Sequence, residues 1–445
     1  MKKALYILLI ALIGTSSFVT AQDSIRYHKE TLPNGLTVIV KQNPDSRVFG
    51  VDILGKNRCA WENPGQEGIT DFVNRMLTRG TKDMNAEQIQ AALDDIGAQI
   101  TTNDDPHLPY DDRYTWRAFS FIKFQTIDEY AEDGIKLLSK IVSEPSFPPE
   151  EIELTKKQVM GILGMESSST NQVCRNLFYG ALLKDHPFGQ TVLGNRASVG
   201  TFNQADLLLH HKKYYNPSNM VLAIVSNIEP ATVMKWVKKR FGKIPPYPAK
   251  SPVIAIPPKV SGVVEVNKPM EKEQIYIYLG NIVCGYKSPD APALTLAVEI
   301  LSSRLQLNLR EIQGLAYSVG ADVAYLGDFG WWVAAMGTGA ANFDTAKAGI
   351  LAEIEKLKTD TISQAELDKA RNSMWGSSLM RNLSGVNQAY NMAYYEFIGV
   401  PYNSDSRALE RLSKVTIADV QAAANKYLDT ANYVLAYVGK VAEPK

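Results

Sequence analysis

"ADLLLHHKKYYNPSNMVLAIV", residues 205–225, aligns without a gap on "ADVQAAANKYLDTANYVLAYV", residues 418–438. The stretches share Ala-Asp at the start, Lys-Tyr in the middle, then Asn and a V-L-A-x-V ending. Each reads as a helix feeding a strand. A weaker match sets "FPPEEIELTKKQ" near residue 150 against "ISQAELDKARNS" near residue 365, at nearly the same offset. Self-similarity at a fixed offset means one structural unit used twice.

The boundary between the copies is marked by composition. Prolines 245, 246, 248, 252, 257 and 258 fall between Gly242 and Gly262; they exclude helix and favour an extended, semi-rigid connector. The expected layout is therefore 22–241, a proline-rich linker at 242–262, and 263–445. Each half mixes two periodicities. "LPNGLTVIVKQN" carries an Asn34-Gly35 turn signal followed by β-branched alternation, which predicts a hairpin. "MNAEQIQAALDDIGAQI" has Asn85 as N-cap, Gln88 three residues on, Ile89, Leu93 and Ile96 on one stripe, and Gly97 as a stop. Strand runs at 219–226, 273–280, 315–325 and 329–336 bracket such helices. The class is α+β: two duplicated domains, each a largely antiparallel sheet with helices on one face.

The first residues, "MKKALYILLIALIGTSSFVTAQ", place Lys2 and Lys3 before an apolar run from Ala4 to Ile13 and a Val19-Thr20-Ala21 ending. That is the layout of a signal peptide over 1–21, so the protein is expected to be exported, periplasmic or secreted. No later stretch reaches the ~20 apolar residues of a spanning helix. The roughly 420 residues beyond the signal exceed what one hydrophobic core serves. Lysine plus arginine, 47, equal aspartate plus glutamate, 47, with no basic block, which argues against a nucleic-acid partner. Cys59, Cys174 and Cys284 are scattered and odd in number, and read as plain thiols.

"EGITDFVNRMLTRGT", residues 67–81, predicts a helix that buries Ile69, Phe72, Val73, Met76 and Leu77. Asp71, Asn74 and Arg75 share another face. As an exposed i,i+4 pair, Asp71 and Arg75 contribute only about 0.2–0.5 kcal/mol. The stretch, however, resembles the signature of the pitrilysin or insulinase family of zinc peptidases, which includes mitochondrial processing peptidase: E-G-[IL]-[AS]-H-F-L-E-H-M-[LA]-F-x-G-T. "TLPNGLTVIV", "HPFGQTVLGNRASV", "YYNPSNMVLAIVSN" and "SSRLQLNLREIQGLAYSVGA" resemble further landmarks of that family in the same order, and the family's fold is itself a two-fold repeat.

In active members two histidines of H-x-x-E-H hold zinc and the glutamate takes a proton from metal-bound water. Here Asp71, Asn74 and Arg75 stand at the three positions, and the family's further glutamate ligand falls near Ile162. An asparagine amide is no base, and a guanidinium stays protonated with no lone pair to give. At ~4 Å and an effective dielectric of ~20, a divalent and a unit cation repel by roughly 8 kcal/mol. His28, His107, His186, His210 and His211 offer no replacement pair, since His210 and His211 are adjacent and face different ways. The resemblance thus implies a non-catalytic member with a degenerate motif, no zinc in this chain, and an Asp71 to Arg75 bridge in the metal's place. The segment after Ile100, with Asp104, Asp105, Asp111 and Asp112, lacks the EF-hand order of calcium ligands and reads as a solvated loop.

"LREIQGLAYSV" predicts a helix through Leu305, Leu309 and Ile312, ended by Gly314 and followed by a strand from Leu315. Arg310 and Tyr317 flank that corner. The family pattern L-R-E-x-x-G-L-A-Y-S implies that both are substrate-binding, reaching a zinc site in the other domain or in a partner. Some bacterial members work as two different subunits, one with zinc and one with the arginine and tyrosine. The expected function is therefore a non-catalytic subunit of a heteromeric zinc-dependent peptidase acting on unfolded peptides. It would be paired with a zinc-bearing paralogous subunit that keeps H-x-x-E-H. The alternatives are a stand-alone peptide-binding or scaffold pseudopeptidase in the periplasm, and an enzyme with an unrecognised site.

Overall fold

The computed structural model describes residues 26–103 and 116–440. The signal-like leader, the acids Asp104, Asp105, Asp111 and Asp112, and His107 lie outside these. In the first half the chain runs β1 (Tyr27–Thr31), β2 (Thr37–Gln42), β3 (Val48–Lys56), α1 (Ile69–Met76), α2 (Ala86–Asp95), β4 (Gln99–Thr101), β5 (Phe119–Ile127) and α3 (Ala131–Ser143). It continues through α4 (Pro149–Ser168), α5 (Thr170–Leu183), α6 (Arg196–Thr201), α7 (Gln204–Tyr214), β6 (Met220–Ser226) and α8 (Pro230–Arg240). The second half runs β7 (Val263–Lys268), β8 (Gln274–Cys284), α9 (Ala291–Leu305), β9 (Ala316–Tyr325), β10 (Phe329–Gly339), α10 (Phe343–Thr359) and α11 (Gln364–Arg381). It ends with α12 (Gly385–Phe397), α13 (Asp405–Ser413), α14 (Ile417–Tyr427) and β11 (Tyr433–Val438).

The sheets are ordered β1-β2-β6-β3-β5-β4 and β7-β11-β8-β10-β9. Strands β2, β6, β3, β5 and β4 correspond in turn to β7, β11, β8, β10 and β9. In both sheets only the first of these pairs, β2 with β6 and β7 with β11, is parallel. The repeat in the sequence is thus a repeat of topology, and among the described residues β1 is the strand without a counterpart. Local signals act where the sequence places them. Gly35 takes φ +93° in the hairpin turn, and Asn85 and Gln88 close a reciprocal capping box at the start of α2, satisfying two free N–H groups.

Each half buries its own core between its sheet and its own helices. The first joins Val38, Val40, Phe49 and Ile53 to Phe72, Ile135 and Val237; the second joins Ile277, Leu279 and Trp332 to Leu294, Leu301, Ile350 and Val420. The second faces of the sheets are covered reciprocally: α12 of the second half packs on β3 and β6, and α5 of the first half packs on β8 and β11. Between them lies a third core, with Ile39, Leu54 and Phe121 from one sheet, Ile282, Trp331 and Val434 from the other, and Phe178 and Met392 from the exchanged helices.

The proline-rich segment holds neither helix nor strand over 245–261, and its backbone is fastened to both halves. Tyr247 N donates to Asn216 Oδ1 (3.2 Å) and His186 Nε2 donates to Ala255 O (3.0 Å). Asn281 holds Val260 through both its backbone groups, at 2.9 and 3.0 Å. It is a strap over the shared core. Cys59 and Cys174 are buried, Cys284 is half-buried, and all three are free thiols.

Candidate functional site

Helix α1 begins where two turns meet. Gly68 has φ +85° and Gly194 φ +71°, conformations that glycine adopts without steric cost. A Cβ on Gly194 would lie 1.9 Å from Glu67 O, and one on Gly68 2.5 Å from Leu193 O. The Glu-Gly of the first motif and the Leu-Gly-Asn of a later one are therefore pressed backbone to backbone, and Ser198 Oγ donates to Glu67 O at 2.8 Å. Helix starts leave N–H groups free. Here the buried carboxylate of Glu62 accepts from Gly68 N (2.8 Å) and Thr70 N (3.2 Å). Burial pushes Glu62 up to about 7, against the pull of those N–H groups and of the Arg58 charge.

All eight residues of α1 are buried, so the Asp71 to Arg75 pair is not the exposed ion pair that spacing alone allows. Arg75 Nε donates to Asp71 Oδ2 at 2.6 Å, and Arg58 Nη2 donates to Asp71 Oδ1 at 2.8 Å. The side chains of Asp71, Arg75 and Arg58 are 2%, 8% and 1% exposed. Burial works against the Arg58 charge, but its neighbours, Asp71 foremost, raise its pKa above the ordinary arginine value. Helical spacing gives no sign of Arg58, which lies in a short 3-10 turn (Arg58–Trp61) outside the helix. Asn74 turns the other way, its Oδ1 accepting from the buried Tyr215 hydroxyl at 2.5 Å.

Zinc does not fit this donor set. Both oxygens of Asp71 are taken by guanidinium donors, the Asn74 oxygen by a hydroxyl, and Arg75 and Arg58 place cations where a divalent ion would have to sit. Ile162, at the expected further ligand position, lies half-buried on α4, which packs against α1. The described histidines bond within the fold. His210 Nε2 pairs with Thr70 Oγ1 (2.9 Å), and His211 Nε2 donates to Val142 O (2.7 Å). Burial pushes these imidazoles down to about 3 and about 4. His28 contacts Glu30 at 3.3 Å. Among the described residues no group of three or more His, Cys, Asp or Glu could hold a metal.

The second set of residues sits at the far end of α9. The chain does not stop at Leu305 but widens into a π-helical stretch, Gln306–Ile312, in which Gln313 N donates to Asn308 O at 3.2 Å. Gly314, at φ +63°, turns the chain into β9. The backbone of the corner is pinned by Leu315 N to Leu309 O (2.8 Å) and Thr338 Oγ1 to Leu315 O (2.6 Å). Against β10, Ser318 pairs with Gly337 and Ala316 with Thr338, which leaves Tyr317 as the extra residue of a bulge, a device that re-aims a side chain. Tyr317 is 68% exposed and Arg310 is exposed beside the turn. Among the described residues neither has a hydrogen bond or ion pair, and nothing joins either to Asp71, Asn74 or Arg75. No helix among the described residues is long and apolar enough to cross a membrane.

Residues 58–196 match the family model described as insulinase (peptidase family M16), and residues 201–374 that described as the peptidase M16 inactive domain. An uncharacterized zinc protease of Rickettsia bellii is 24% identical over 91% of this chain and 96% of its own length. One of Bacillus subtilis is 25% identical over 92% and 97%. Among solved structures, a peptidase M16 inactive domain from Pseudomonas fluorescens covers 95% of this chain and 100% of its own, with TM-score 0.84 at 19% identity. A protease from Helicobacter pylori covers 94% and 100%, with TM-score 0.82 at 20% identity.

Proposed function

The chain belongs to peptidase family M16, and we propose that within it the protein is a non-catalytic, substrate-binding subunit of a heteromeric zinc-dependent peptidase acting on unfolded peptides outside the cytoplasm. The partner is a paralogous subunit that bears zinc on an intact H-x-x-E-H, and this chain supplies Arg310 and Tyr317. One observation carries the reading: Asp71 is locked between Arg58 and Arg75 at the position of a metal ligand. The chemistry of the other corner supports it. A guanidinium offers a donor fork to a peptide carbonyl or terminal carboxylate, and a tyrosine hydroxyl can donate to an oxygen that gains charge as a peptide bond is attacked.

The test uses the whole chain, alone and mixed with a relative from the same organism that keeps H-x-x-E-H. Alone, after incubation with zinc and dialysis, it should retain no stoichiometric metal and cleave no quenched fluorescent peptide. Mixing should create activity, and Arg310→Ala or Tyr317→Phe should lower kcat by about 100-fold, the scale of one lost oxyanion donor. Cleavage by the lone chain, or a mixture no more active than the relative by itself, overturns the proposal. Peptide binding that needs no partner, with Arg310→Ala silent in every mixture, would assign the stand-alone pseudopeptidase instead.

A further inference from the structure

The duplicated sheets differ at one edge. In the first half β1 lies antiparallel on the outer side of β2: Leu36 O accepts from Leu32 N and Gln42 N donates to Arg26 O, both at 2.8 Å. The even-numbered residues of β2 therefore face β1. Strand β7 is the counterpart of β2, since Val264 pairs with Val434 as Thr37 pairs with Val221. On β7 the bonds from Tyr433 N to Gly262 O (3.1 Å) and from Gly439 N to Lys268 O (3.2 Å) show which carbonyls face β11. By the two-residue period of a strand, the N–H and C=O groups of Val263, Glu265 and Asn267 face outward. Among the described residues none of these groups has a partner. Val263 is 50% and Val264 39% exposed.

A cavity of about 650 Å³ lies against this edge, lined by Leu163 of α4, Val173, Leu177 and Ala181 of α5, and Val266 and Lys268 of β7. In the first half the matching edge is covered. There β1 sets Tyr27 opposite Lys41, the residue matching Lys268, with its ring 5.6 Å from Tyr402 and 5.7 Å from Lys41 Nζ. The second half thus keeps the socket of β1 without its strand. At the other edge of the same sheet two N–H groups of β9 are capped by the molecule's own side chains: Ser302 Oγ accepts from Ala321 N (3.1 Å) and Asp322 Oδ1 from Val323 N (2.8 Å).

We infer that the outer edge of β7 receives an extended segment of a partner protein, added antiparallel as β1 is on β2, with an aromatic or bulky apolar side chain opposite Lys268 seated in the cavity. Main-chain pairing along an open edge supplies the attachment, and the pocket selects the side chain. Pro269 ends the edge, so the segment is short. The occupant is a partner and not peptide substrate because β7 and the Tyr317-bearing β9 are opposite edges of the sheet, separated by four strand spacings of ~4.8 Å, or about 19 Å. The choice of a partner over substrate rests on the proposed role of Tyr317, whereas the open edge and its pocket do not depend on it.

The probe is a fluorescent peptide copying residues 26–33, titrated into the full chain by anisotropy. Saturable binding is expected, weakened at least tenfold when the tyrosine of the peptide becomes alanine. Methylating one alternate set of peptide backbone nitrogens should abolish binding, and methylating the other set should leave it. In the protein, Gly180→Leu is expected to weaken binding at least tenfold with no fall in melting temperature, because Gly180 lines the cavity and a Cβ there meets nothing within 4 Å. Asn267→Pro, which removes one outward N–H, should do the same. No saturable binding, or binding indifferent to Gly180→Leu and so due to exchange with β1 itself, overturns the inference. Competition by an unfolded casein digest at equal concentration would assign the edge to substrate and overturn the choice of occupant.

Discussion

Replacing Asp71 by alanine removes a carboxylate that, among the described residues, both Arg58 and Arg75 contact, at 2.8 and 2.6 Å, while leaving guanidiniums only 1% and 8% exposed. Deleting one member of a buried ion pair typically costs about 3–5 kcal/mol, because the remaining charge keeps its desolvation penalty and loses its compensation. Two arginines share this carboxylate, so the upper part of that range is expected. At ~2–4 °C per kcal/mol for a unit of 150–250 residues, the melting temperature should fall by about 10 °C or more. Asp71→Asn keeps an acceptor but not the charge, and should fall between alanine and the parent. Replacing all three residues together, as Arg58→Met, Asp71→Leu and Arg75→Met, should restore or exceed parental stability, since apolar substitutes for a buried triad are often neutral or stabilising by about 1–4 kcal/mol. The assay is urea unfolding at equal m-value alongside thermal melting, at low and high salt. A buried triad predicts little salt dependence. An alanine shift below about 2 °C would refute the claim that this cluster holds α1 in place, as would a triple variant as unstable as the single one.

Glu62→Gln should flatten a pH limb of stability. Its carboxyl titrates near 7 in the folded chain against an ordinary 4.5, so its contribution is fully present below 4.5 and is lost as pH rises through about 7. At ~1.4 kcal/mol per tenfold the loss is about 3 kcal/mol. His210, pushed down to about 3, gives the opposite slope, its stabilisation being lost as pH falls below about 6.5. The glutamine variant must therefore be read as a difference from the parent in melts between pH 4.5 and 7. Gly194→Ala sets a methyl 1.9 Å from Glu67 O at φ +71° and should cost about 2–4 kcal/mol by urea unfolding. A loss under about 0.5 kcal/mol would mean that the two turns separate freely.

Much of this architecture was legible because it is written in local signals and in a repeat. Asn34-Gly35, the Asn85 capping box and the Gly314 turn each act within a few residues, and the match of 205–225 with 418–438 fixes two sheets of one topology. Contacts that depend on distant parts of the chain were not legible. Arg58 reaches Asp71 from outside any helical period, and Glu62 replaces an N-cap side chain from six residues upstream of Gly68. The exchange of α5 and α12 is likewise invisible to periodicity, because a buried helix face reads the same whichever sheet it covers. That exchange also changes the meaning of the prolines. They keep 245–261 extended, but with Ala255, Val260 and Tyr247 bonded to opposite halves the segment ties together what composition alone would let swing apart.

The two sets of residues carried over from the family motif answer to different physical constraints. Asp71, Asn74 and Arg75 are buried, and their contacts with Arg58 and Tyr215 give the fold a direct stake in their identity. A chain with no metal function would still lose stability if they changed. Arg310 and Tyr317 are exposed on a backbone corner that is pinned by other groups, through Leu309, Leu315 and Thr338. Exposed substitutions away from such features usually change stability by no more than about 0.5 kcal/mol, so the fold itself gives little reason for an arginine and a tyrosine at these places. A π-helical widening and a bulge, both imperfections in regular structure, set their positions. On the proposed function those imperfections aim two donors outward, toward a site this chain does not contain, and Arg310→Ala should then be silent in every melt of the lone protein while abolishing most of the turnover of the mixture.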